Sequence, residues 1–140
     1  MNWARIVIAS VFIFFIFFCL DFVAEQAVPN RAYFESATLF KPGTEQFRYL
    51  WAFELCMFFF CFFFCIFFAR GYKGKGILEG VSYGLLIFLF IVPALVFGLF
   101  FTLKLSPMLA VCWSIRELVK YVIAGIVVAA IYTTRPRGTQ

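Results

Sequence analysis

The chain contains no histidine. That absence removes the usual haem axial ligand, the commonest zinc and copper ligand, and the commonest general base. Charge is scarce as well, at 14% of residues, against about 25% in soluble globular domains. The five cysteines, Cys19, Cys56, Cys61, Cys65 and Cys112, all fall in apolar stretches and form no C-x-x-C pair. A zinc ribbon or thioredoxin-like motif is therefore unsupported, and the thiols read as small apolar filler. Ser10, Ser82 and Ser114 have no histidine to activate them, so no nucleophile–base pair emerges. Gly74-Lys75-Gly76 lacks the remainder of a phosphate-loop pattern. The expectation is a protein that is not an enzyme, with no metal and no haem.

Apolar residues, by contrast, make up 65% of the chain, against about 45–50% in globular proteins. Mean hydropathy is +1.00, and 23 residues are Phe, many in runs such as Phe58-Phe59-Phe60 and Phe62-Phe63-Phe64. A water-soluble monomer of this size has too little interior for so much apolar surface. Four segments, about 4–27, 46–69, 78–103 and 107–134, are long enough to cross hydrocarbon at about 1.5 Å per helical residue. In lipid the backbone must satisfy its own hydrogen bonds, so such segments are helices. The expected fold is all-α: a single integral-membrane domain over residues 1–140, a bundle of four transmembrane helices. No small-x-small cleavage site follows the first apolar run, which reads as an uncleaved helix.

Ser106-Pro107 signals a helix start with Ser106 as cap, and Pro42-Gly43 lets Thr44 cap the second span with Glu45 placed well for its dipole. Between the first two spans, Pro29-Asn30 and Pro42-Gly43 bracket an aromatic stretch that suits a short segment in the membrane interface. Pro93 lies inside the third span and predicts a kink. Arg5, Arg70, Lys73, Lys75, Arg135 and Arg137 gather on one side, against Arg31, Lys41, Arg48 and Lys104 on the other. This places both termini in the cytoplasm, and it explains the net charge of +5 without a nucleic-acid partner.

Two constellations stand out. Asp21, Glu25, Glu54, Arg116, Glu117 and Lys120 fall within or at the edge of the spans. Each would cost at least about 2.5–3.5 kcal/mol deep in hydrocarbon if it stood alone, so they are expected to meet, with Glu54 paired to Arg116 or Lys120. Such a network is a static ion-pair core, a proton or ion path, or a lipid-headgroup pocket. Gly76, Gly80 and Gly84 recur every four residues, and Gly125 with its neighbouring alanines offers a counter-surface, a small-x-x-x-small pattern that lets backbones approach. The Phe-rich second span turns aromatic rings to nearly every face, so some must contact lipid or another subunit.

The opening Met1-Asn2-Trp3 with Arg5-Ile6-Val7-Ile8-Ala9, Asp21-Phe22, and the closing Glu117, Tyr121, Ile123-Ala124-Gly125-Ile126-Val127 and Ile131-Tyr132 resemble small, uncharacterised bacterial four-helix inner-membrane proteins. The resemblance implies a bundle in a bacterial inner membrane and no particular activity. Small multidrug transporters also have four spans, but Ile6–Leu20 holds no acid to match their first-helix Glu. The favoured reading is a non-catalytic membrane subunit or scaffold, surrounded by the lipid bilayer and packed against other membrane subunits or itself. The alternative is a small transporter or proton/ion-conducting protein using Asp21, Glu54 and Glu117; a third reading is a quinone- or lipid-binding module.

Overall fold

The computed structural model describes residues 3–133, and among these every regular element is helical. Helix α1 spans Trp3–Ala27. The short α2, Asn30–Glu35, is followed by a 3-10 turn at Ala37–Leu39, and α3 spans Gly43–Gly71. Helix α4, Ile77–Val92, runs through a π turn at Pro93–Phe97 into α5, Gly98–Thr102, and α6 spans Pro107–Thr133. Three helical lengths are long and apolar enough to cross a membrane: α1, α3 and the α4–α5 rod Ile77–Thr102. Helix α6 is equally long, at 27 residues, but Arg116, Glu117 and Lys120 interrupt its apolar character. Met1, Asn2 and the C-terminal Thr134, Arg135 and Arg137 lie outside the described residues.

The long helix with charges clustered in its middle is the central one. Helix α6 packs against α1, α3 and α4 and touches α2 and the π turn, so its charged stretch is shielded by its neighbours. The larger core joins Ile6, Ala9, Ile13 and Phe17 of α1 to Cys61, Phe64, Cys65 and Phe68 of α3 and Tyr121, Ala124, Val128 and Ala129 of α6. The α1 and α3 sets recur at intervals of three and four, one stripe of each helix. Phe59, Phe63 and Phe67 occupy the opposite side of α3 and are exposed. Cys61 and Cys65 are packing residues in this core, whereas Cys19 and Cys56 are exposed. A second core, with Ala32, Val92, Val96, Leu105, Leu109 and Ala110, lies where α2 covers the start of α6 and the π turn.

The tightest crossing is α4 on α6. A methyl group built on Gly80 would collide with the Gly125 carbonyl oxygen and come within 2.7 Å of the Ala129 methyl. One on Gly84 would strike the Tyr121 carbonyl, and one on Gly125 would strike that of Gly80. The glycine ridge is therefore an intramolecular backbone contact. Gly76 does not belong to it: it precedes α4 at φ 72° and, with Gly74 at φ 84°, forms the left-handed turn between α3 and α4.

Helix ends differ in detail from the sequence expectation. Helix α3 begins at Gly43, one residue before the expected cap, and Pro42 takes the cap position; its carbonyl accepts the Glu45 and Gln46 amides at 2.8 and 3.0 Å. Thr44 is thus inside the first turn. Pro93 opens a π turn, because its missing N–H breaks the α-type hydrogen-bond ladder. Glu79, in the first turn of α4, accepts the backbone amides of Lys73 and Lys75 at 2.6 and 3.0 Å and closes the basic turn.

Leucine at Gly80 or Gly125 should separate the α4 and α6 backbones and cost at least about 1–3 kcal/mol, as overpacking does. Gly98 has no atoms within 4 Å of an added methyl, so Gly98→Ala is the neutral control. Denaturation in detergent titrated with SDS measures both; equal midpoints for Gly80→Leu and Gly98→Ala would sink the close-approach argument.

Candidate functional site

Helix α1 and α6 run antiparallel, with Phe17 of one stacked edge-on against Tyr121 of the other at 6.0 Å. Side chains lean toward the N-terminus of their own helix. Asp21 therefore leans back along α1 while Lys120 leans the opposite way in space, and the two converge. Lys120 Nζ lies 2.9 Å from Asp21 Oδ1 and 3.0 Å from Oδ2, and 3.2 Å from Glu117 Oε1. Arg116 Nη2 holds the same Glu117 oxygen at 3.0 Å, and its Nε lies 3.3 Å from Asp21 Oδ1. The Lys120 ammonium also sits 4.9 Å from the centre of the Phe17 ring. Only 3% of the Lys120 side chain is exposed, against 30% of Asp21. Two carboxylates and two cations thus close on one another, and the formal charge of the group is zero.

The other expected members stand elsewhere. Glu25 faces α2 and accepts the Tyr33 hydroxyl at 2.6 Å. Burial first, and then the Glu25 carboxylate, pushes the Tyr33 phenol up to about 12. Glu54 meets neither Arg116 nor Lys120 and makes no hydrogen bond or ion pair among the described residues. The reason is geometric. The fully buried positions of α3 begin at Cys61, whereas residues 41–51 are exposed throughout, so half-buried Glu54 precedes the packed half of the helix.

A polar contact that sequence reasoning missed fastens α2. Ser106 Oγ donates to Glu35 Oε2 at 2.7 Å, and the Ser106 amide donates to Ser36 Oγ at 2.9 Å. Ser106 does stand just before α6, and its carbonyl accepts the Ala110 amide at 3.1 Å, but its hydroxyl reaches across the chain instead of capping its own helix. The Ser106 hydroxyl, followed by Arg31, lowers the Glu35 pKa from its ordinary 4.5. Adjacent Glu35 and Ser36 at the end of an aromatic stretch were the available signal.

Two clefts meet at Trp113 and Arg116. One is apolar, about 310 Å³, and runs between the α1 stripe Leu20, Val23, Ala24 and the α6 residues Cys112, Ile115 and Val119. The other, about 620 Å³, lies under α2 and is lined by polar groups including Glu25, Tyr33, Lys41 and Gln46. Among the described residues no group of three or more Cys, Asp or Glu is placed to hold a metal ion. Comparison with family models, curated proteins and solved structures finds no match to the chain. Function must therefore be argued from this geometry.

Removing one partner of a buried pair leaves a charge uncompensated, at a cost on the order of 3–5 kcal/mol. Asp21→Ala should destabilise by that much, while Asp21→Ala with Lys120→Leu should recover most of the loss. A double-mutant cycle in detergent measures the coupling, and strictly additive losses would contradict a direct pair. The α2 contact should respond to pH. Because the Glu35 pKa is lowered on folding, its contribution is complete above 4.5 and is lost as pH falls through the depressed value. Hydrogen-exchange protection factors across residues 29–41, corrected for the intrinsic pH dependence of amide exchange, should fall on acidification below that point, and Glu35→Gln should flatten the response.

Proposed function

We propose that the chain is a non-catalytic integral membrane protein, a four-helix bundle acting as a subunit or scaffold within a larger membrane assembly or homo-oligomer. The closed ion cluster carries this reading. Asp21 and Glu117 are each engaged by both Lys120 and Arg116, so the carboxylates an ion path would use are committed to holding α1 on α6. On this reading α6 is the fourth span, admitted to the bilayer because its cations are neutralised inside the bundle. The Lys and Arg distribution puts both termini in the cytoplasm, and the α2 segment on the outer face, of what the resemblance makes a bacterial inner membrane.

The place for a neighbour is the outer half of α3. Phe47, Trp51 and Phe53 are 80%, 70% and 58% exposed, and Glu54 within that stretch has no internal partner. An acid in an apolar helix is stabilised by a polar or basic group on an adjoining helix.

The test is extraction in gentle detergent followed by native mass spectrometry, paired with proton-flux assays in liposomes. A species heavier than the 16.2 kDa chain is expected, with no flux above that of empty vesicles. Glu54→Leu should weaken the association at least severalfold. A lone monomer would refute the assembly. Flux abolished by Glu117→Gln in a protein that still folds would establish conduction in its place.

A further inference from the structure

We propose that the two joined clefts form a seat for a phospholipid whose headgroup carries both a phosphate and a primary ammonium, the phosphatidylethanolamine class. The polar cleft presents unused hydrogen-bond donors. The Lys41 ammonium lies 4.5 Å from the Tyr49 ring centre and has no carboxylate partner among the described residues. Arg116 spends Nε and Nη2 on Asp21 and Glu117, which leaves Nη1 without an acceptor among the described residues. The Trp113 indole N–H is fully buried and directed at the Tyr33 phenol, so it shapes the cleft wall and leaves Lys41 and Arg116 as the donors a phosphate would meet. All three residues line the polar cleft. A phosphate supplies only acceptors and matches such a set.

Among the described residues, the same cleft also holds a spare carboxylate oxygen. Glu25 Oε1 takes the Tyr33 hydroxyl, and its other oxygen has no donor among the described residues. An ammonium fits there. Counting the cleft with the ion cluster behind it, Asp21, Glu25 and Glu117 balance Lys41, Arg116 and Lys120. A zwitterionic headgroup keeps that balance, whereas an anionic one leaves a surplus negative charge. The apolar cleft begins at the shared Trp113 and Arg116 wall and continues between α1 and α6, where an acyl chain would lie. Headgroup and chain positions are therefore contiguous, as one amphipathic molecule requires.

The seat requires that the chain be membrane-embedded, so the first measurement is resistance to alkaline carbonate extraction; a chain that washes off overturns the embedding itself. The purified protein is then placed in nanodiscs of phosphatidylcholine doped equally with phosphatidylethanolamine and phosphatidylglycerol, and the retained lipid is read by native mass spectrometry. Wild type should retain phosphatidylethanolamine at least fivefold over phosphatidylglycerol. Lys41→Gln should lower that retention severalfold. Glu25→Gln should shift the preference toward phosphatidylglycerol, and Ala24→Phe, which fills the apolar cleft, should lower retention of both. Lys41 and Glu25 are exposed, so these variants test the seat without breaking the core. Equal retention of the two headgroups, or no response to Lys41→Gln and Glu25→Gln, would overturn the proposal. So would displacement of the lipid by millimolar inorganic phosphate, which would show that the acyl cleft contributes nothing.

Discussion

Lys120 is a cation whose side chain is 3% exposed in a chain with little polar surface to answer it. Left alone, an ammonium in hydrocarbon costs several kcal/mol by even lenient scales. The answer is Asp21, ninety-nine residues earlier, at 2.9 Å. Because the two side chains lean toward each other only when α1 and α6 run antiparallel at one register, the pair specifies how these helices are placed. A slide of one turn, about 5.4 Å, would part them. Glu117 and Arg116 complete the neutralisation on the same helix, so the cluster is anchored on α6 and only α1 must be brought to it.

From that constraint the rest of the packing follows. A helix carrying three charges within five mid-helix residues needs enclosure, and α6 touches every other long helix. On the far side from the cluster it has Gly125, against which Gly80 and Gly84 bring α4 to backbone contact. The crossing thus rests on van der Waals packing of one backbone on another. At the other end, the α2 segment spreads Ala32 over the second core and uses Ser36 and Glu35 to hold Ser106, the residue that starts α6. Both ends of the cluster's helix are therefore tied to elements early in the chain.

How much of this was legible beforehand depended on the range of the signal. Helical character, the rod from 77 to 102 and the glycine ridge lie in local composition and spacing, and they could be read directly. Gly76 was read into the ridge because its spacing matches. Its positive φ belongs to a turn, and spacing alone does not distinguish the two. Glu54 shares a stripe with Cys61 and Cys65 and so looked like a partner for α6. What sequence could not show is that the two halves of α3 diverge in burial, so that one stripe is buried at Cys61 and exposed before Glu54. Ser106 is a similar case: cap statistics describe its position, but the hydroxyl was claimed by Glu35 from 71 residues away.

The divergence of α3 also changes how the Phe excess is understood. Near its second half, Phe64 and Phe68 pack on Tyr83, whose hydroxyl donates to the Phe64 carbonyl at 2.9 Å. There the aromatic residues are core. In the outer half Phe47 and Phe53 are exposed, and they sit beside a carboxylate, Glu54, with no internal partner among the described residues. Lipid alone would accept the Phe surface, because hydrocarbon tolerates aromatic rings, but it offers nothing to Glu54. The exposed outer half of α3 sets Phe47, Trp51 and Phe53 among Glu45, Gln46 and Arg48, a mixed surface better matched to another helix bearing polar groups than to acyl chains. The Phe residues therefore divide into a packed and an exposed set along one helix, and half-buried Glu54, with no internal partner among the described residues, stands at the boundary between them.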